Sequence, residues 1–416
     1  MLDSQDWFLT GAALDALSEW NHLLKSFQQQ LGVHFGRSEA RLAAYDYIRA
    51  LISPVERKNA WQVAEYVGQN NPYSVQHLLG RARWDAEAVC GEVKNYVCEH
   101  LGSNEVILAV DETSFIKQGQ HSVGVQVQYC GTTGHKENCQ VGVFLSYIGQ
   151  YGHTLIDRRL YLPQSWAEDA LRRKKASVPE AVEFATKPKL ARQMLQQAFE
   201  SGIRPTWVVA DEVYGNDGKF WRWLEQEHDG AYLLHVSVSH SVWIEYQQYR
   251  AGVIASSLTP QQWQRFSCGQ GSKGERLYDW ARIEVNCDNE QGFKRWLLFR
   301  RNIERPDDPR SITYYQVYAK SETTLQQMVE IAGKRWAIEE CFKLAKNHFG
   351  LGDYEVRSWS GWHRHMSLVL AASAFVTVLR HHVEPIMNTQ KNQTTNSLVP
   401  PHPMASFKAA RGLLSA

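Results

Sequence analysis

Two apolar runs in this chain each end on an aspartate: V-I-L-A-V-D-E-T at 106–113 and W-V-V-A-D-E-V-Y at 207–214. Short, largely β-branched runs of this kind read as strands buried on both faces, which requires a sheet covered by helices. A buried strand that finishes on Asp111 or Asp211 delivers a carboxylate to the rim of the sheet, where ligands sit. Two such strands predict a pair of acids aimed at a shared divalent cation. What completes the pair decides the chemistry.

At 416 residues the chain is too long for one ordinary core, so two or three lobes are expected. Hydrophobic residues make up 44% and charged residues 21%, which describes a soluble globular protein. The 45 basic and 44 acidic side chains nearly cancel, and a local basic face can hide inside that total. The 15 Trp and 18 Tyr suit base stacking, sugar binding and core packing equally. Seven cysteines without a C-x-x-C pair argue against a disulfide framework. His121, Cys130, His135 and Cys139 match no standard zinc spacing, so reduced thiols are expected. The start, M-L-D-S-Q-D-W, lacks a signal-peptide pattern. Met366–Leu379, the longest apolar stretch, is about 14 residues and short for a bilayer, so a cytoplasmic protein is expected.

Residues 1–104 read as a helical domain. Ser53-Pro54 opens a helix carrying Val55, Trp61, Ala64 and Val67 on one face, ended by Gly68. A turn leads to S-V-Q-H-L-L-G-R-A-R, and Asp85 caps the next helix. Helix, turn and short basic helix outline a helix-turn-helix, with Lys58, His77, Arg81 and Arg83 as DNA contacts. An ordinary bundle with a solvated basic face is the other reading.

From 105 to about 165 the period becomes two, predicting a three-stranded meander: the Asp111 strand, then H-S-V-G-V-Q-V-Q-Y and C-Q-V-G-V-F-L-S-Y. R-R-K-K at 172–175 reads as a mobile loop, Lys189–Glu200 as a helix, and the Asp211 strand follows. That order is the RNase H-like one, giving an α/β (α+β) core over 105–230. Residues 231–322 form a β-rich insertion, and 323–385 return to the core as helices. The polar stretch 386–416 reads as a flexible tail.

The helix 325–347 contains G-K-R-W-A-I-E-E-C-F-K-L-A-K, with adjacent glutamates. With Ile338 at zero, Ile331, Phe342 and Ala345 fall within roughly 40°, defining a buried face. Arg335, Lys346 and Glu339 border it at roughly 60°, 80° and 100°, whereas Glu340 points to solvent near 200°. Glu339 is therefore the third acid. A surface ion pair with Arg335 is the alternative. Three carboxylates suit hard cations such as Mg²⁺, with Mn²⁺ able to substitute, and two such ions serve in-line displacement at phosphorus. Arg335 and Lys346 would hold the phosphate backbone. P-loop and G-x-S-x-G patterns are absent.

These residues carry a resemblance. The chain is similar to DDE-type insertion-sequence transposases of the branch bearing Y-x-x-R-x-x-x-E-x-x-x-x-x-x-K on the catalytic helix. Arg335, Glu339 and Lys346 match R, E and K, and Ala332 stands at the Tyr position. Asp111 and Asp211 match the first two acids, and Tyr214 the aromatic of D-x-x-[YF]. The stretches R-W-A-I-E-E-C-F and Y-E-V-R-S-W-S-G-W-H-R-H add to the likeness, which covers roughly 50–380. It implies an enzyme that cleaves double-stranded DNA at an element's terminal inverted repeats and joins the freed 3′-hydroxyl to target DNA. Catalytic and metal-binding roles fall on Asp111, Asp211 and Glu339, and DNA contacts on Arg335, Lys346 and Tyr214. In relatives a Trp of the β insertion stacks on a flipped base, and Trp243, Trp263, Trp280 and Trp296 all lie there, with core packing the default for each.

Lys117 and His121 follow Asp111 and face either the cleft or a surface loop. The cluster Arg357, Trp359, Trp362, His363, Arg364 and His365 is either a DNA-backbone contact or a core-anchoring turn. Glu112 and Glu212 are sent by the pleat to the opposite face. Synapsis of two DNA ends predicts a homodimer. A non-mobile RNase H-fold endonuclease and an inactive DNA-binding derivative are the alternatives; a glycosidase would not need the cationic stripe.

Overall fold

The computed structural model describes residues 11–271, 274–287 and 292–394. Five helices come first: α1 (Gly11–Gly32), α2 (Ser38–Ile52), α3 (Ala60–Tyr66), α4 (Tyr73–Gly80) and α5 (Ala86–Leu101). The Asn59 and Asp85 side chains start α3 and α5, accepting from Gln62 N at 3.0 Å and Glu87 N at 2.8 Å. Residues 54–59 therefore lie outside the helix expected there. Trp61 is 54% exposed, and Val63 and Ala64 face inward in its place.

The strands follow as β1 (Ile107–Ile116), β2 (Gln126–Cys130), β3 (His135–Gly149) and β4 (Gly152–Leu160). The expected meander is revised: β2 pairs with the outer end of β3, which itself lies against β1. The third core strand is β4, antiparallel to the inner end of β3. Next come α6 (Gln164–Ala167), α7 (Ala170–Lys175) and α8 (Lys187–Glu200), then β5 (Trp207–Ala210). The R-R-K-K segment is helical, not a loose loop. Arg172 lies 3.8 Å from the Trp166 ring centroid, and Arg173 donates to four backbone carbonyls.

After α9 (Glu212–Gly215) and α10 (Gly218–Glu227) comes β6 (Ala231–Val236). β1, β5 and β6 are parallel neighbours, while β3 and β4 run antiparallel beyond β1. The strand order β4-β3-β1-β5-β6 is RNase H-like, with β3 and β4 in the second and third places expected for β2 and β3.

The insertion supplies β7 (Ser241–Ile244), β8 (Gln247–Arg250), α11 (Ala251–Ser257), β9 (Gln264–Gly271), β10 (Gly274–Val285), β11 (Phe293–Arg301) and β12 (Ile312–Lys320). Its strands extend the core sheet, because β12 pairs antiparallel with β6 and leads on to β11, β10 and β9. β6 belongs to the core ladder, so the added elements begin after it. A small core of its own, including Val242, Ile254, Leu297 and Phe299, packs this part.

Three helices close the chain: α12 (Leu325–Lys334), α13 (Trp336–His348) and α14 (Trp359–Thr394). α14 packs against α5, β4, α1, α2 and α4. One apolar cluster consequently runs from Leu23 to Leu379, joining the first helices to the sheet. α14 is longer at both ends than the apolar stretch suggested. Residues 359–365 form its first turns and 386–394 its last, while 395–416 lie outside the described residues. Over Trp359–Pro385 it is long and apolar enough to cross a bilayer, but 72% of that window is buried against the rest of the protein. Burial, not shortness, explains its composition.

Candidate active site

The parallel register of β1 and β5 ends at Val110 opposite Ala210. Asp111 and Asp211 are the next residue on each, so the ladder brings them side by side on adjacent strands. β5 stops there because Asp211 caps α9, its Oδ1 accepting from Glu212 N at 2.5 Å. Asp111 continues in β1 opposite Phe144, and its Oδ1 accepts from Glu112 N at 2.7 Å.

The third acid arrives on α13. Ala337, Ile338, Cys341, Phe342 and Ala345 form its buried face, with Phe342 edge-on to Phe144 at 5.5 Å. The helix is interrupted at Arg335, which keeps helical angles (φ −54, ψ −31), so α12 and α13 are two pieces of one predicted helix. Gly333 is needed just before the interruption: a Cβ there would collide with the Cys268 carbonyl of β9. Arg335 and Glu339 then face the aspartates. Arg335 Nη2 donates to Glu339 Oε1 at 2.8 Å, and Nη1 lies 3.6 Å from Asp111 Oδ2. Glu340 turns the other way and lies 3.5 Å from His153 Nε2 on β4.

The charges are strongly coupled. Burial and the neighbouring Asp211 push the Asp111 carboxyl up to about 7, against the pull of Arg335. Burial would raise Asp211 too, but hydrogen bonds from His235 and Glu212 N, together with Arg335, bring it down to about 2. Burial also raises Glu339, opposed by its bond to Arg335. Burial works against the charge on Arg335, and Asp111, Glu339 and Asp211 more than restore it. Two adjacent acids pushed apart in this way are a feature shared by catalytic sites and structural ion-pair networks.

In chemistry the donor set fits a hard divalent cation: three carboxylates in a cleft whose burial leaves Asp111 poorly compensated. In arrangement, no three His, Cys, Asp or Glu side chains among the described residues converge closely enough to enclose one. The Arg335 guanidinium links Asp111 to Glu339 instead.

His235 was not singled out from the sequence. Its Nδ1 lies 3.2 Å from Asp211 Oδ1, and its ring packs on Tyr315 at 5.2 Å. The available signal was a lone polar residue in the buried run A-Y-L-L-H-V, on the strand beside Asp211. Glu112 was expected behind the sheet as a supporting or solvent residue. It accepts from Tyr214 at 2.6 Å and from Lys187 at 2.7 Å. Glu212 is exposed.

Several expected DNA contacts are revised by burial. Tyr214 is fully buried, with its hydroxyl on Glu112. Lys58 is 2% exposed, its ammonium donating to Ser53 O at 2.6 Å and Ala50 O at 3.0 Å, where it caps the end of α2. Arg364 donates to Leu79 O and Trp84 O, both at 3.3 Å, and so ties α14 to the N-terminal helices. Trp362, His363 and His365 are buried, and burial drives both imidazoles down to about 3, so neither is cationic at neutral pH. The core-anchoring alternative holds for those four residues.

The other expected cations lie further along β1 or on the surface. Lys346 Nζ lies 3.3 Å from Thr132 Oγ1 and 3.5 Å from Ser114 O, beside β1. Lys117 sits 3.6 Å from the Tyr354 ring centroid, and burial lowers it to about 8. His121 and Arg357 are exposed, and Trp359 is half-buried against His363. His77, Arg81 and Arg83 are exposed on the α4 side. Of the four insertion tryptophans, Trp280 and Trp296 are buried, Trp263 lies under Arg301, and Trp243 is 51% exposed.

The family model for DDE superfamily endonucleases matches residues 30–264, more than half of the chain, and that for the transposase DDE domain matches 185–375. The chain belongs to the DDE superfamily. Together the two matches span Asp111, Asp211 and Glu339. This DDE enzyme is also 24% identical, over 75% of its length and 76% of the relative's, to a probable transposase for insertion sequence element IS701 from Microchaete diplosiphon. A cryo-EM structure of a piggyBac transposase synaptic complex with hairpin DNA aligns with it at a TM-score of 0.45. That alignment is 10% identical and covers 95% of this chain and 77% of the other.

Proposed function

We propose that this DDE enzyme is the transposase of an insertion sequence, cutting double-stranded DNA at terminal inverted repeats and transferring the freed strand into target DNA with Mg²⁺ or Mn²⁺. The observation that carries the proposal is the β1–β5 register: it sets Asp111 beside Asp211, and Glu339 shares the Arg335 guanidinium with Asp111.

Asp111, Asp211 and Glu339 would hold the divalent ions. When bound, these supply activation of the attacking oxygen and charge relief at the leaving one. His235 keeps Asp211 ionised and fixes its orientation. Arg335 is the fork for phosphate oxygens once the acids have another cation to face. Lys346 and Lys117 extend the positive rim along β1, with His121, Arg357 and Trp359 beyond them. Arg81 and Arg83 are the remaining contacts from the N-terminal helices. Trp243 is the insertion tryptophan with surface free for stacking. Two DNA ends brought together imply a homodimer, acting in the cytoplasm.

The test is Mg²⁺-dependent nicking of a labelled oligonucleotide carrying the element end, identified from inverted repeats flanking the gene. Asp111→Ala, Asp211→Ala and Glu339→Ala should each abolish it while retaining the wild-type circular dichroism spectrum. Activity persisting in any of the three would overturn the assignment of that acid.

A further inference from the structure

The β1–β5 backbone ladder stops at Val110 and Ala210, one residue before each aspartate. Beyond that point β5 turns into α9 and β1 continues paired with β3 only. Among the described residues, the next hydrogen bond between the two segments is a side-chain one. Tyr214 donates its hydroxyl to Glu112 Oε2 at 2.6 Å, and Lys187 Nζ meets the other oxygen at 2.7 Å. Tyr214 is fully buried three residues after Asp211, so its ring cannot swing away. Lys187 is the first residue of α8, whose start is fixed by the Thr186 cap. The carboxylate thus ties three segments together: the strand of Asp111, the turn after Asp211 and the start of α8.

We propose that Glu112 is a positioning residue that registers Asp111 against Asp211 by gripping Tyr214 from the opposite face of the sheet. The proposal rests on the reading of those aspartates as the ligands of a divalent cation. The pleat gives the physical reason. Successive β1 side chains alternate faces, so Glu112 cannot reach the cleft, yet any shift of its backbone moves Asp111 with it. Support of this kind behind metal ligands is worth about 10–100-fold in metal affinity. A misplacement of about 1 Å in the reacting groups costs on the order of 10²-fold in rate. Lys187 balances the charge that Glu112 brings into a half-buried place.

The decisive variant is Tyr214→Phe, which removes one hydroxyl and leaves the ring in its packing. Mn²⁺ binding by electron paramagnetic resonance without DNA, the Mg²⁺ concentration at half-maximal nicking, and the melting temperature are measured together. We expect Tyr214→Phe to weaken Mn²⁺ binding and raise the Mg²⁺ requirement, each by about tenfold, with melting shifted by only a few degrees. Glu112→Ala should do at least as much, and Glu112→Gln, which still accepts from Tyr214, should recover most of the loss. Unchanged metal dependence in Tyr214→Phe would overturn the proposal, whether or not melting falls. If Asp111→Ala still binds Mn²⁺ and nicks DNA, the underlying metal-site reading fails. If Asp111→Ala is inactive and Tyr214→Phe behaves as wild type, the clamp alone fails.

Discussion

Arg335 and Glu339 stand one helical turn apart, 2.8 Å from guanidinium to carboxylate, and this pair is more than a surface contact. Its side chains are 21% and 33% exposed, and the same guanidinium reaches Asp111 on β1. A solvated i,i+4 pair contributes about 0.3–0.5 kcal/mol. A guanidinium shared by acids from a strand and a helix instead sets the charge state of the cleft.

If Arg335 meets DNA phosphate, Arg335→Gln should weaken binding of the end oligonucleotide across all sequences. The slope of log affinity against log salt should fall by about 0.9, the value for one lost phosphate contact. An unchanged slope in a salt titration would mean that Arg335 acts on the carboxylates alone.

The adjacent glutamates should separate cleanly. Glu340 faces His153 at 3.5 Å and lies away from the aspartates, so Glu340→Gln should keep activity within about threefold of wild type. Glu339→Gln should lose it. Parallel nicking assays on the two variants decide the matter, and the reverse result would reassign the third acid.

Lys58 offers a different separation. Lys58→Met removes the donors to the Ser53 and Ala50 carbonyls and should destabilise the fold by about 1–3 kcal/mol. Its salt slope for DNA binding should stay at the wild-type value. Arg81→Ala, at an exposed position, should leave stability within about 0.5 kcal/mol. Urea melts alongside salt titrations measure both effects.

Acid stability should depend on Asp157. It is a fully buried residue of β4 with Lys94 at 2.7 Å, in a site where burial alone would raise its pKa. Arg159, Lys94 and Arg158 overcome that and hold it down to about 2. Its folded-state value is below that of an unfolded chain, so this stabilisation is complete above about pH 4 and is lost as pH falls towards 2. Asp157→Ala, which leaves the buried Lys94 without its acid while Arg158 keeps Glu87, should cost about 3–5 kcal/mol at neutral pH. Asp157→Asn should flatten the acid limb of denaturant melts taken between about pH 5 and 2. An unaltered limb would place the acid sensitivity elsewhere.

Much of the site was legible because its parts are local. Apolar runs ending on acids announce strand ends, and helical spacing separates Glu339 from Glu340 without any tertiary information. The cationic neighbours Arg335 and Lys346 followed from the same spacing. What failed was any residue whose role depends on what covers it. Lys58, Arg364 and His365 carry the residue types of a DNA surface, yet each points inward to a backbone carbonyl. Strand β4 was missed as a separate strand because its turn, Gly149–Gly152, is short and its run, G-H-T-L-I-D-R-R-L, buries Asp157 and Arg158 where an apolar pattern would be expected.

By itself the sequence determined the RNase H-like class of the core and pointed to three candidate acids and the helix that carries the third, since each rests on local period, polarity and chain order. Only the tertiary structure decided which carboxylate oxygen faces which cation, and that His235 bonds Asp211 while Tyr214 and Lys187 meet on Glu112. It also decided that the insertion extends the core sheet instead of standing apart. The physical reason is that hydrogen bonding and burial join residues up to hundreds of positions apart. Periodicity reports which face a residue takes, and only packing reports what it meets there.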